Sequence, residues 1–140
     1  MLPGSGQSPR FSATYACPFT CAGPGWVWIT GTAYSGVTTF KLVADYLLNS
    51  TPSKGCYLQS GELAFTQQTG PARGDAFWLT TAKSKICPSA NPSVLIQTDS
   101  FTVRGGTGIF KGTTGKATDW WSVLLYPQVA NGEFLASITY

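Results

Sequence analysis

Carboxylates are the side chains of this chain best suited to proton transfer, because the sequence contains no histidine. Histidine is the commonest general base and metal ligand in proteins, and its absence excludes Ser-His and Cys-His nucleophile pairs. A carboxylic acid on an apolar strand face would instead be desolvated, which favours its neutral form and suits it to act as a general acid. The six carboxylates are Asp45, Glu62, Asp75, Asp99, Asp119 and Glu133.

Strand alternation makes Asp45 and Glu62 the first candidates for such an acid. Asp45 shares one face of its predicted strand with Leu47, and Glu62 shares a face with Ala64. With the hydroxyl of Tyr57 as a further proton donor, these residues form the predicted catalytic set. The alternative for each carboxylate is a position at the rim of the fold, paired with a lysine or an arginine.

The other four carboxylates occupy different kinds of position. Asp119 shares a predicted face with Trp121, so the argument for an apolar environment applies to it as well. Asp99 lies between two residues with hydroxyl groups, and we expect it at the surface. Asp75 and Glu133 lie beside turn glycines, where we expect them to be solvated.

Three of the five tryptophans are predicted to form the walls of a ligand site. Trp28, Trp78 and Trp120 have large apolar faces that suit a flat hydrophobic molecule or a sugar ring. Packing in the core or at a subunit interface is the alternative for each. Trp120 and Trp121 must point to opposite sides of their strand, because side chains alternate, so that one is inside and the other outside.

Four cysteines in a chain with few charges indicate disulfide bonds and an oxidising compartment. Three pairings are possible. We favour Cys17–Cys21, which is local, together with Cys56–Cys87, whose members lie at the ends of separate predicted strands; four free thiols are the alternative. A zinc site is disfavoured because no second close cysteine pair follows. The protein is therefore expected to be secreted, extracellular or periplasmic.

Turn signals divide the chain into short segments that predict an all-β fold. Residues 1–10 are predicted to be a flexible lead rich in glycine, serine and proline, and residues 11–140 a single domain. Residues 17–25 are predicted to form a turn-rich loop. Strands are predicted at 26–34, 37–48, 56–67, 76–83, 94–103, 116–126 and 134–140, with a weaker segment at 10–15. The spacing of the turns is typical of a β-sandwich or a β-barrel.

Charge and hydropathy disfavour two classes of partner. The net charge is +3, and Lys83-Ser84-Lys85 is the one basic cluster, whereas nucleic-acid binding needs several cations on one face. No apolar run approaches the length of about 18 residues that a membrane helix requires. Several predicted strands are apolar on both faces, which indicates that the outer wall is covered too. Another subunit is the simplest cover, and an N-terminal segment that crosses the wall is the alternative.

A glycine run joins the predicted strands 94–103 and 116–126. It reads Gly105-Gly106-Thr107-Gly108-Ile109-Phe110-Lys111-Gly112-Thr113-Thr114-Gly115, with five glycines in eleven residues. Glycine at this density marks positive φ angles or close backbone approaches. The pattern G-G-T-G-x-F-x-G-x-x-G resembles the signature of the allene oxide cyclase and dirigent barrels. The similarity is sharp over this run and extends loosely to the end of the chain.

The resemblance implies a closed antiparallel barrel of about eight strands, calycin-like, with a central cavity and often assembled as a trimer. In these families the glycine run is structural, so it carries over no catalytic residue. A cyclase or dirigent protein steers ring closure or coupling by holding a reactive ligand in one conformer, with no metal or cofactor.

Three functions are consistent with these features. The first is a secreted barrel that binds a small hydrophobic molecule in its lumen without any chemistry. The second, which the resemblance implies, is a cyclase-type or dirigent-type protein. The third is a structural protein that self-associates through apolar outer strands. An open lumen above roughly 300 Å³ with a buried carboxylate would favour the first two, and a lumen filled by side chains would favour the third.

Overall fold

The computed structural model describes residues 10–23, 26–48, 55–124 and 129–139, most of which belong to β-strands. The strands are β1 (Arg10–Gly23), β2 (Trp26–Ser35), β3 (Thr38–Leu48), β4 (Tyr57–Gln67), β5 (Ala76–Pro88), β6 (Val94–Gly106), β7 (Thr114–Leu124) and β8 (Val129–Thr139). A turn of 3-10 helix, Gly108–Phe110, lies between β6 and β7. None of the helical structure in these ranges is long and apolar enough to span a membrane.

Each strand pairs antiparallel with the next one in the chain, and β1 also pairs with β8. In this strand order each strand has a neighbour on both sides. Consecutive strands pair in this way because short connections bring antiparallel neighbours together. The prediction of an all-β antiparallel fold with about eight strands is confirmed.

The first strand is longer than the sequence indicated. We predicted a strand at 10–15 followed by a turn-rich loop at 17–25, whereas β1 continues to Gly23. It pairs with β2 on one side and with β8 on the other. These backbone hydrogen bonds outweigh the local turn preference of Pro18 and Gly23. Residues 1–9 of the predicted lead lie outside the described residues.

Apolar side chains from alternating strand positions fill part of the barrel interior. In β3 the even-numbered residues from Phe40 to Tyr46 are buried, and the odd-numbered ones are exposed or half-buried. Near one end of the barrel, phenylalanine rings pack against one another. The ring centroid of Phe65 lies 5.0 Å from that of Phe77 and 4.9 Å from that of Phe134.

The glycine run brings the side chain of Phe110 into this aromatic cluster. Its ring centroid lies 4.9 Å from that of Phe77. Gly106 permits the approach, because a Cβ atom at that position would overlap the backbone carbonyl of Phe110. Asp75, which we expected to be solvated, accepts a hydrogen bond from the backbone N–H of Ile109 at 3.0 Å. The glycine run therefore closes one end of the barrel, and a hydrogen bond to Asp75 joins it to the residue that precedes β5.

A disulfide bond between Cys56 and Cys87 joins the start of β4 to the end of β5, as predicted. The two Cα atoms are 4.2 Å apart, and the cysteines are separated by 31 positions in the chain. Closing a loop of that length stabilises a fold by about 3–4 kcal/mol in the chain-entropy model. The predicted Cys17–Cys21 bond concerns side chains outside the described part of the structure and stays a prediction.

Candidate functional site

A cluster of buried polar side chains lies inside the barrel, toward the end opposite Phe110. Buried polar groups are costly unless they are hydrogen-bonded, so a cluster of them inside an apolar core is a candidate functional site. Four strands contribute to it on their inner faces. The residues are Tyr46 on β3, Gln59 on β4, Gln97 and Asp99 on β6, and Asp119 and Trp121 on β7.

Asp99 lies at the centre of the hydrogen bonds in this cluster. The Tyr46 hydroxyl donates to Asp99 Oδ2 at 3.2 Å, and Gln97 Nε2 donates to the same oxygen at 3.0 Å. Gln97 is held in turn, because Gln59 Nε2 donates to Gln97 Oε1 at 3.3 Å. Side chains from three strands therefore fix the position of this carboxylate.

Asp119 lies directly opposite Asp99 on the neighbouring strand β7. Trp121 Nε1 donates to Asp119 Oδ2 at 3.0 Å. Opposite side chains on one face of an antiparallel pair have Cβ atoms about 4.5–5.5 Å apart. The carboxyl groups of Asp99 and Asp119 are therefore close enough to act on the same bound molecule.

Ser84 extends this row of residues onto β5. It lies opposite Asp99 on the side away from Asp119. Its side chain is buried, and its hydroxyl has no hydrogen-bond partner among the described residues. A buried hydroxyl without a partner costs on the order of 1–3 kcal/mol. A molecule that offers a hydroxyl or carbonyl group inside the barrel would offset that cost.

Gly61 allows the Tyr46 ring to occupy its place in the cluster. The two residues lie opposite each other on β4 and β3. A Cβ atom at position 61 would come within 2.6 Å of a carbon of the Tyr46 ring. The pairing of β4 with β5 shifts register next to Gly61, as is common where a glycine interrupts a strand.

The environment of Tyr46 keeps its hydroxyl protonated. Burial raises the pKa of this hydroxyl well above its usual range, and the charges of Asp119 and Asp99 raise it further. The hydroxyl therefore remains a hydrogen-bond donor at neutral and mildly alkaline pH. A fixed phenol donor facing two carboxyl groups provides the groups that general acid–base chemistry requires.

This shift in pKa predicts that the protein loses stability at high pH through Tyr46. A tyrosine in the unfolded chain ionises near pH 10, whereas Tyr46 in the folded chain holds its proton to higher pH. The stabilisation is complete below about pH 10 and declines above it, by up to about 1.4 kcal/mol per pH unit, because only the unfolded state releases the proton. We expect Tyr46→Phe to show a shallower decline of the free energy of unfolding between about pH 10 and pH 11.5.

Denaturant unfolding across that pH range would measure the effect. At neutral pH, Tyr46→Phe is expected to be less stable than the native protein by about 1.5–3 kcal/mol, because Asp99 loses a hydrogen-bond donor. Identical alkaline slopes for the two proteins would contradict the prediction. The neutral-pH comparison shows separately whether the hydrogen bond contributes.

The predicted residues Asp45 and Glu62 face outward rather than into the interior. They lie opposite each other on β3 and β4, and both are exposed. Together with Trp78 they line a surface depression of about 470 Å³. Trp28 pairs with Asp45 in the backbone register of β2 and β3, and its side chain lies outside the described part of the structure. The structure thus brings Asp45, Glu62 and Trp78 together, on the opposite face from the one we expected for the two carboxylates.

Tyr57 and Trp120 have different surroundings. Tyr57 has the same strand parity as the buried Gln59 and lies opposite Ile86, so it marks the end of the inner face of β4, where it is 45% exposed. Trp120 points outward with 44% of its surface exposed, and Trp121 points inward and is fully buried. The prediction that these adjacent tryptophans face opposite sides is confirmed. The catalytic and binding roles predicted for Asp45, Glu62, Tyr57, Trp28, Trp78 and Trp120 stay predictions.

Our sequence reasoning placed Asp99 on the wrong face, and it did not single out Tyr46, Gln59 or Gln97. We expected Asp99 at the surface because Thr98 and Ser100 flank it, but it is 3% exposed. Immediate neighbours on a strand lie on the opposite face, so they say nothing about the face that a residue occupies. The informative neighbours are two positions away, and one of them is Phe101, which is buried.

Comparison with known proteins bears on the fold. No protein-family model matches the chain, and no curated protein matches it. Among solved structures, the chain is similar to the pterocarpan synthase dirigent protein GePTS1, with a TM-score of 0.52 over 99% of this chain and 96% of that chain. The fold is dirigent-like. The sequence identity is 14%, so the likeness shows the fold alone. The dirigent-like fold that the resemblance implies is confirmed, and the allene oxide cyclase part and the significance of the glycine motif stay predictions.

Proposed function

We propose that this dirigent-like barrel binds a small hydrophobic, hydroxylated molecule in its interior and directs its ring closure or coupling. The observation that carries the proposal is the pair of opposed carboxyl groups, Asp99 and Asp119, buried with Tyr46 inside the barrel. The structural neighbour is a pterocarpan synthase, which supports a ring-forming reaction on this type of fold.

The interior cluster can supply each proton that such a reaction needs. In a ring closure with loss of water, a carboxylic acid gives its proton to a departing hydroxyl oxygen, and the carbon–oxygen bond breaks. A second hydroxyl group of the same molecule attacks that carbon, forms the new carbon–oxygen bond and gives its proton to the carboxylate. The carboxyl group is regenerated, and water is the only other product. The Tyr46 hydroxyl would orient the ligand or its leaving oxygen by donating a hydrogen bond.

The apolar end of the interior would hold the ring system of the ligand. Phe134 lies opposite Asp119 on β8 and contacts Phe65, so aromatic surface begins directly beside the carboxyl groups. Holding a flexible molecule against such a surface restricts it to few conformers, which lowers the entropic barrier to cyclisation. Ser84, with its buried hydroxyl, would contact a polar group of the ligand.

We infer secretion and self-association from weaker observations. The Cys56–Cys87 bond favours an oxidising compartment. Exposed apolar side chains on the outer face, among them Leu47 and Trp78, favour contact between subunits, for which a trimer is the arrangement that the family resemblance implies. Light scattering in solution would test this assembly, and a monomer at all concentrations would contradict it.

Ligand binding can be tested with a pterocarpan as the probe and intrinsic tryptophan fluorescence as the signal. The adjacent residues Trp120 and Trp121 form a matched pair, because one faces out and the other faces the interior cluster. We expect saturable quenching in the native protein and in Trp120→Phe, and loss of most of that quenching in Trp121→Phe.

The same two variants also define the result that would overturn the proposal. Quenching that survives in Trp121→Phe and disappears in Trp120→Phe would place the ligand on the outer surface. Native mass spectrometry of protein purified from its source provides a second test, since a bound small molecule adds a defined mass to the folded chain. If no aromatic probe gives a saturable response and the mass spectrum shows no bound ligand, the purely structural function would be favoured.

A further inference from the structure

A groove of about 1230 Å³ is lined mainly by the outward-pointing side chains of β5 to β8. Ser84, Asp99, Asp119 and Phe134 border it as well, at the strand positions between those residues. Their side chains are buried, so it is their backbone that faces the groove. A concave site of this size can hold an extended ligand, and the function proposed above makes no use of its outward side chains.

Cross-strand pairing arranges the side chains of the groove in two rows. One row contains Lys85, Thr98, Trp120 and Glu133, on β5, β6, β7 and β8 in that order. The parallel row contains Lys83, Ser100, Thr118 and Leu135. Neighbouring strands lie about 4.8 Å apart. A ligand that crosses the strands would therefore meet a different side chain about every 4.8 Å.

The chemistry of these rows suits a sugar ring better than a purely apolar molecule. Trp120 offers an open indole face with 44% of its surface exposed, and Tyr34 also lines the groove. Hydroxyl groups of Thr98 and Ser100 lie next to the indole, where they can exchange hydrogen bonds with sugar hydroxyls. A sugar ring presents an apolar face and a polar edge, and this surface provides a partner for both.

Two lysines give the groove a positive end. Lys83 and Lys85 alternate on β5 and therefore point to the same side, about 6.6 Å apart along the strand. Both are exposed, and the structure records no ion pair for either among the described residues. Glu133 lies on β8, at the other end of its row. The lysines are thus positioned to bind negative charge.

We propose that this groove binds an acidic oligosaccharide, a chain of sugars that carries carboxylate groups. Trp120 stacks on one sugar ring, and Lys83 and Lys85 bind the carboxylates of a neighbouring one. The outward side chains of the groove take no part in the interior cluster, so the groove would tether the protein to a polyanionic glycan while the interior cluster acts on its own ligand.

The charges argue against a second copy of the chain as the occupant. In a two-fold contact each copy presents the same surface, so that the single Glu133 could pair with only one of the two lysines of the other copy. The second lysine would be buried without a partner, which costs several kcal/mol. A carboxylated glycan neutralises both lysines and covers Trp120 as well.

Calorimetric titration with a short oligogalacturonate would test the proposal. Its methyl ester, which carries no charge, is the control ligand. We expect the acid to bind the native protein and the double variant Lys83→Ala, Lys85→Ala to bind it at least about tenfold more weakly. The methyl ester is expected to bind weakly and equally to both proteins. Affinity for the acid should fall as salt is added, because exposed charges are screened.

Two further variants make the test specific. The double variant Lys41→Ala, Lys111→Ala removes the same net charge at exposed positions outside the groove and should bind the acid as the native protein does. Trp120→Ala should weaken binding of both the acid and the ester, and thermal unfolding would verify that each variant is folded.

Three results would overturn the proposal. One is an absence of saturable binding by the native protein, and another is an equal loss of affinity in the two lysine double variants. The last is a native protein that forms an oligomer and does not bind the glycan, while Trp120→Ala is a monomer. That result would identify the groove as a subunit contact. None of these results depends on the interior site, so the function proposed for Asp99 and Asp119 is tested separately.

Discussion

Replacing Asp99 with asparagine is expected to lower the rate of ring closure by about 10²–10⁴-fold, the contribution typical of a positioned general acid or base. Asparagine preserves the shape of the side chain, and its oxygen can still accept the hydrogen bond from the Tyr46 hydroxyl. It cannot give or take the proton that the departing or attacking oxygen requires. The measurement is kcat with the open-ring precursor of the pterocarpan probe as the substrate.

Asp45→Asn in the same assay separates the interior site from the site predicted by strand alternation. Both substitutions remove one carboxylate and keep its volume, but Asp45 is exposed on the outer face and Asp99 is buried. A large loss of kcat in Asp99→Asn with a small one in Asp45→Asn would support the interior chemistry. The reverse pattern would place the reaction in the depression beside Glu62 and Trp78 and would refute the role of the interior cluster.

The sequence was sufficient to predict the fold class, because that depends on local signals. Alternating segments, turn residues and the glycine run each indicate short antiparallel strands, and these signals agree along most of the chain. The Cys56–Cys87 bond follows from the same analysis, since its members lie at the ends of strands that turned out to be neighbours. The clearest departure is β1, where pairing on both sides outweighs the local turn residues. In addition, β5 continues five residues beyond its predicted end, to Pro88, and β8 begins five residues before its predicted start, at Val129.

The face that each strand buries could not be predicted as reliably. In β3 both sets of alternating positions carry apolar residues, for example Leu42 and Tyr46 on one side and Val43 and Leu47 on the other. Alternation alone therefore does not say which set points inward, and a wrong choice reverses every side chain of the strand. This is why Asp45 was expected inside and Tyr46 was not singled out.

The hydrogen bonds of the cluster depend on tertiary structure. Tyr46 and Asp99 are 53 positions apart in the chain, and Gln59 and Gln97 are 38 apart. No local pattern links such pairs, because they meet only after the strands have assembled around the interior. Asp119 shows which part of the site the sequence could predict. Its position two residues before Trp121 correctly indicated that it lies on an apolar face.

Replacing Phe110 with alanine is expected to destabilise the protein by about 3–5 kcal/mol, the range found when a buried phenylalanine is truncated. The side chain is 3% exposed, and its ring lies among those of Phe77 and Phe40, at centroid distances of 4.9 and 6.3 Å. Removing it leaves a cavity at the closed end of the barrel, which the tightly packed glycine run cannot fill by collapsing. Denaturant unfolding at neutral pH would measure the loss.

Ile109→Ala is the matched control, because it truncates the neighbouring residue of the same turn. Ile109 is 49% exposed, so its replacement should change the free energy of unfolding by no more than about 0.5 kcal/mol. A similar loss in both variants would mean that the turn, rather than the buried ring, carries the stability. The contrast expected here follows from the glycine run itself, since the absence of a side chain at Gly106 is what lets the Phe110 backbone approach and its ring enter the core. Resemblance in that run thus reports on how one end of the barrel is closed, whereas the chemistry proposed for the other end depends on residues that the run does not contain.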